Sequence, residues 1–174
     1  MLFRSPAKLI IDLRDNQGGV FEKALDVADY FLNSGEVIVK TKSRDGSMKE
    51  YKAKGSAWSP ETAIFILTSG ETASSAEVLT AALKENRKAV IVGGKTRGKW
   101  TVEMLETLPN KFAIKYSVKQ MQSPSGKSYQ AQGITPDFNI GERVDTESVD
   151  LPSLQNSKLR LEKDPVLKAA YELK

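Results

Sequence analysis

The chain has 174 residues, 40% of them hydrophobic and 28% charged, which suits one globular domain, or one domain with a short tail, rather than a disordered chain. It contains no Cys and no His, which excludes disulfides, thiolate nucleophiles, zinc–thiolate and iron–sulfur sites, and the Ser-His-Asp triad. The net charge of +4 is mild; the basic stretches at 84–88 and 95–99 lack the interleaved aromatics of a nucleic-acid platform, and no apolar run approaches the roughly 20 residues that span a bilayer.

Residues Lys8–Leu13 read as a buried strand closed by the turn-forming cluster Asp15-Asn16-Gln17-Gly18-Gly19. From Val20 to Leu32 the apolar residues fall on one helical stripe, stopped by Asn33-Ser34-Gly35. Glu36–Lys42 and Met48–Lys54 read as a hairpin across Arg44-Asp45-Gly46-Ser47. Ala63–Thr68 is a second buried strand, leading through Ser69-Gly70-Glu71-Thr72 into a helix over Ser74–Lys84. Ala89–Val92 is a third buried strand, followed by the loop Gly93–Gly98. Thr101–Leu108 and Phe112–Val118 form another hairpin. Residues 139–163 read as polar and irregular, and Asp164-Pro165 opens a short helix to Leu173. Strand, helix, strand, helix, strand predicts an α/β layered fold with right-handed crossovers. The expected division is a core over residues 1–140 and a tail over 141–174.

Without His or Cys, any chemistry falls to Ser, Thr, Lys, Tyr, Arg, carboxylates and backbone groups. A Ser in the turn 69–75 would stand at a helix N-terminus, whose unpaired N–H groups suit a developing oxyanion. Ser and Thr are also the ordinary N-caps of helices, so the position alone does not decide. A Ser nucleophile needs a base, and a desolvated Lys can serve. Lys99 follows a Gly-rich loop after a buried strand, where the chain can turn toward a cleft. On spacing alone it reads rather as an exposed strand lysine. The Gly18-Gly19 pair lets backbone N–H groups approach a ligand closely, or is simply a turn.

At these residues the sequence resembles a known family. Leu9-Ile10-Ile11-Asp12-Leu13-Arg14-Asp15-Asn16-Gln17-Gly18-Gly19 is similar to the Leu-Asp-Leu-Arg-x-Asn-x-Gly-Gly segment of the C-terminal processing peptidases, or tail-specific proteases, the S41 serine peptidases. Thr72-Ala73-Ser74-Ser75-Ala76-Glu77 resembles that family's Ser-Ala-Ser-Ala-Ser-Glu nucleophile segment. Gly93–Lys99 resembles its Gly-Glu-x-Thr-x-Gly-Lys loop. Ser123–Ser128 and Gly133–Asp137 resemble its later Pro-Ser-Gly and Gly-Ile-x-Pro-Asp run. The four matches stand in the family's order.

The resemblance implies a Ser/Lys dyad on a ClpP/crotonase-like core, with no cofactor and no metal. By that resemblance the nucleophile is Ser74 rather than Ser75, and the general base is Lys99. The oxyanion donors would be the Ser75 N–H and that of Gly18 or Gly19. The family's Gln four residues beyond the Lys, thought to orient the amine, is Glu103 here. In a straight strand residues four apart lie roughly 13 Å apart, so contact between Lys99 and Glu103 requires a bent backbone. The family's Gly after the Lys is Trp100, a bulky group expected to narrow the cleft or shape substrate choice. A PDZ domain normally precedes the first segment, so the chain is expected to be a fragment.

The implied activity is an endopeptidase acting on unfolded or C-terminal protein segments. The partners implied are protein or peptide substrates, no nucleic acid, a nearby membrane for the full-length protein, and a second copy in a homo-oligomer. The implied location is extracytoplasmic, in the periplasm or cell envelope. Two alternatives remain: a non-catalytic domain binding peptides or apolar ligands on the same scaffold, and an acyl-CoA enzyme of the crotonase type.

Overall fold

The computed structural model describes residues 6–55, 57–140 and 157–173. Along the chain run β1 (Lys8–Asp12), α1 (Phe21–Phe31), β2 (Val37–Ser43), β3 (Met48–Lys52), β4 (Ala63–Thr68), α2 (Ser75–Arg87), β5 (Val90–Gly93), β6 (Thr101–Thr107), β7 (Ala113–Gln122), β8 (Phe138–Asn139), α3 (Ser157–Lys163) and α4 (Pro165–Glu172). They form two sheets. One is parallel, in the order β1-β4-β5-β8; the other is antiparallel, in the order β3-β2-β7-β6. The α/β architecture expected from the sequence is present.

The parallel sheet is covered on both faces, which is why β4 reads as an unbroken apolar run. Alternation sorts its side chains. Ile64, Ile66 and Ile91 turn to one side and pack with Ala28 and Leu32 near α1 and with Val78, Ala82 and Leu83 of α2. Phe65, Leu67 and Val92 turn to the other and meet Val166 and Ala170 of α4. Burying a side chain such as Ile66 or Leu67 contributes about 1.5–3 kcal/mol. Ile38, Val39 and Met121 of the antiparallel sheet join the first cluster, so the two sheets share a core.

Three details differ from the sequence reading. Residues 157–163 are helical, although 139–163 read as irregular; of that stretch, 141–156 lie outside the described residues. Helix α2 continues to Arg87, three residues past the expected end, and stops at Lys88 in the left-handed conformation, φ 52°. Strand β8 is a two-residue addition beside β5, too short to leave a periodic signal. Helix α4 begins where expected, with Asp164 accepting a hydrogen bond from the Leu167 N–H.

Candidate active site

Three segments leave the carboxyl ends of β1, β4 and β5, the place where open parallel sheets bind ligands. The first runs over 13–19, the second over 69–74, and the third over 94–100. They are laced together by backbone bonds: Ala73 N–H to Asn16 O at 3.0 Å and Arg97 N–H to Thr72 O at 2.9 Å. The Thr72 hydroxyl donates to Leu13 O at 2.7 Å, and Ser69 Oγ donates to Arg14 O. The Gly133–Asp137 run closes the third segment. Ile134 N–H donates to Thr96 Oγ1 at 2.7 Å, and Asp137 Oδ2 accepts from Ile91 N–H at 2.9 Å.

Ser74 sits at the head of α2 with φ 56° and ψ −120°, a backbone that L residues rarely adopt. A strained turn between strand and helix presents a side chain outward at the sheet's end. Its partner in holding that shape is Glu77. This carboxylate is fully buried and accepts four hydrogen bonds. Oε2 takes the N–H of Ser74 at 2.9 Å and of Lys99 at 2.8 Å. Oε1 takes the Thr96 hydroxyl at 2.6 Å and the Gly98 N–H at 2.9 Å. One side chain therefore fixes the backbones of Ser74 and Lys99 together. In the sequence Glu77 stands only as the last residue of the segment Thr72–Glu77, with no role of its own. A Ser followed three residues later by Glu is the capping-box pattern, and that was the signal available.

Ser74, Ser75, Gly19, Lys99, Glu103 and Lys115 all line one cleft of about 290 Å³. The antiparallel pairing of β6 with β7 slips between Val102 and Glu103. The extra residue of that slip, Val118, belongs to β7, and Lys99 stands before β6 in chain that is not strand, so the spacing of a straight strand does not separate it from Glu103. Lys99 Nζ lies 3.1 Å from Glu103 Oε2, and Lys115 Nζ lies 2.7 Å from the same oxygen. Hydrogen bonds from Lys115 and then Lys99 hold Glu103 below the usual carboxylate range. Lys115 was missed in the sequence, because nothing local marks a lysine in the middle of an exposed strand.

The two glycines separate cleanly. The Gly18 N–H is consumed by Asn16 Oδ1 at 2.9 Å. Among the described residues no partner takes the N–H of Gly19 or of Ser75. Trp100, expected to narrow the cleft, does not reach it. Its indole is fully buried in the main core and packs on Tyr129, ring centroids 5.1 Å apart. Lys99 and Trp100 are adjacent, and the structure turns Lys99 into the cleft and Trp100 into the core.

The sequence profile of peptidase family S41 matches residues 3–140. The chain belongs to that family. The carboxy-terminal-processing protease of Bartonella bacilliformis is 34% identical over 131 residues, which is 75% of this chain and 30% of that protein. The chloroplastic C-terminal processing peptidase of Tetradesmus obliquus is 30% identical over 138 residues, 79% of this chain and 30% of the relative. The family likeness extends to three dimensions. The photosystem II D1 C-terminal processing protease superposes with a TM-score of 0.71 at 30% identity, over 79% of this chain and 36% of that one. A putative S41 protease from Bacteroides fragilis shares the fold, TM-score 0.73, at 20% identity, over 92% of this chain and 43% of that one. The chain thus spans about 30% of the length of these curated S41 relatives.

Proposed function

We propose that this chain carries the catalytic centre of a serine endopeptidase that cleaves unfolded or C-terminal protein segments. The observation carrying the proposal is that Ser74 and Lys99 line one cleft while a single buried carboxylate holds both backbones. Ser74 Oγ attacks the scissile carbonyl carbon, and Lys99, as the neutral amine, takes its proton. The N–H groups of Ser75 and Gly19 receive the oxyanion, aided by the positive end of α2. Lys99 then gives the proton to the leaving amine, which departs as the C–N bond breaks. Water hydrolyses the acyl-enzyme by the same route, Lys99 again taking and returning the proton. The relatives, carboxy-terminal-processing proteases by name, support C-terminal segments as substrates.

For the whole protein the proposal extends to action outside the cytoplasm, in the periplasm or cell envelope and near a membrane. Among the described residues no helix is long and apolar enough to cross a membrane. Self-association is part of the same reading, supported by exposed Leu105 and Phe112 on the hairpin of β6 and β7.

The Lys99–Glu103 ion pair favours a second reading, a non-catalytic peptide-binding domain, because an ammonium held by a carboxylate is no base. A fluorophosphonate adduct on Ser74, located by mass spectrometry, and cleavage of an unfolded reporter separate the two. S74A and K99A are expected to lose essentially all cleavage, and the double variant to be no worse than either. S75A keeps its backbone N–H and retains most of the rate. Cleavage by S74A at the rate of the unsubstituted chain sinks the assignment.

A further inference from the structure

The cleft presents a charge arrangement that a Ser/Lys dyad alone does not explain. Among its described lining residues three are titratable: Lys99, Glu103 and Lys115. The two ammonium groups share a single oxygen, and the shorter contact belongs to Lys115. Lys115 comes from β7, opposite Leu105 of β6, and reaches Glu103 diagonally across the ladder. Other charges near the trio do not take its place. Glu77, beneath it on α2, is committed to four donors. Phe21 of α1 brings no charge to the lining. Lys119, further along β7, lines a neighbouring pocket with Lys42 and Arg44 and adds only positive potential.

A carboxylate facing Lys99 alone favours the ammonium and works against a base. When Lys99 loses its proton, such a carboxylate is left uncompensated. With Lys115 on the same oxygen, the proton leaves behind a complete ion pair. We propose that Lys115 is a positioning residue of the site: it holds the Glu103 carboxylate when Lys99 gives up its proton, and so keeps the base available near neutral pH. This rests on the reading of Ser74 and Lys99 as nucleophile and base. The low titration range of Glu103, set first by Lys115 and then by Lys99, agrees with the shared oxygen.

The test compares K115M with the unsubstituted chain, with K115R as the conservative rescue. Lys115 has a largely exposed side chain, so its replacement leaves the fold intact. In K115M the acidic limb of the pH–kcat/KM profile should move up by about one pH unit, a roughly tenfold loss at pH values below the limb. K115R should restore it. In an E103Q background, the same K115M change should move the limb much less. A second readout needs no activity. Lysines labelled with 13C at Cε are titrated by NMR in the S74A chain, with K99R identifying the Lys99 signal. That signal should titrate at higher pH in the S74A/K115M chain than in S74A. An unchanged Lys99 titration, or an activity loss equal at every pH, overturns the proposal. If S74A itself cleaves, the dyad reading fails instead, and the NMR titration still decides the role of Lys115.

Discussion

At Gly18 the backbone has φ +94°, and a Cβ there would sit 2.7 Å from Ala73 O and 2.9 Å from Ser74 Cβ. At Gly19 a Cβ would meet nothing within 4 Å. G18A therefore forces both a disfavoured backbone and a displaced Ser74 turn. It should cost about 1–3 kcal/mol of stability and most of the cleavage rate. G19A keeps its N–H and has room for a methyl, so its stability should stay within about 0.5 kcal/mol of the unsubstituted chain. Urea unfolding and kcat/KM measured on both variants check this; indistinguishable behaviour would contradict the division of roles. The sequence could not make that division. Both glycines sit in one turn, and what separates them is Asn16 folding back onto the Gly18 N–H. The direction of Trp100 was misread: expected at the cleft, it packs in the main core against Tyr129. The sharing of Glu103 by two lysines was half legible. Lys99 lies four residues away, but Lys115 arrives through strand pairing twelve residues on.

Helix α2 and the loop after β5 meet through the Glu77 carboxylate, so their alignment depends on one side chain near the start of α2. E77Q preserves shape but replaces one acceptor oxygen with an NH2 group. Whichever way the amide turns, that group faces two donors, either Ser74 and Lys99 N–H or Thr96 Oγ1 and Gly98 N–H. Leaving buried donors unpaired costs about 1–3 kcal/mol each. The expected loss is about 2–5 kcal/mol, with kcat falling more than KM rises because the loss disturbs catalytic alignment. Chemical denaturation and steady-state kinetics measure the two effects. Stability equal to that of the unsubstituted chain would show that the clamp is dispensable. At this scale the sequence was informative wherever hydrophobic period ruled. Strands β1, β4 and β5 were visible as apolar runs between turn clusters, and α1 as a stripe. The last three residues of α2 were not, because Glu85–Arg87 carry polar side chains whose placement is set by partners. Glu85 accepts from Ser125 N–H, Asn86 reaches Val37 O, and Arg87 reaches Phe31 O.

The segments of the candidate site and helix α4 are connected through the outer face of the parallel sheet. Val166 and Ala170 of α4 pack on Phe65, Leu67 and Val92, the side chains opposite those that face α2. The helix is held at both ends. Lys8 Nζ donates to Ala170 O at 3.0 Å and Tyr171 O at 2.6 Å at its C-terminal end, where a cation is favoured. At its N-terminal end Asp164 caps Leu167 N–H at 2.9 Å. The same nearly buried carboxylate takes both Arg14 terminal nitrogens, at 3.0 and 2.6 Å. Arg14 also pairs with Asp12 at 2.6 Å, and its carbonyl receives Ser69 Oγ, so the guanidinium ties α4 to the loop carrying Gly18 and Gly19. Two substitutions separate cap from ion pair. Asn is as good an N-cap as Asp, so D164N removes chiefly the charge. D164A removes the charge and the cap together, worth about 1 kcal/mol more. Breaking a buried pair costs about 3–5 kcal/mol when the survivor has no partner, but Arg14 keeps Asp12. D164N should therefore cost about 1–3 kcal/mol, and D164A about 2–4 kcal/mol. Cleavage should fall in both variants, because the loop carrying Gly19, the proposed oxyanion donor, loses its anchor. Unfolding midpoints, with kcat/KM on the same samples, provide the measurement. If D164A unfolds at the same urea concentration as the unsubstituted chain, α4 is an appendage and not part of the structure that holds the site.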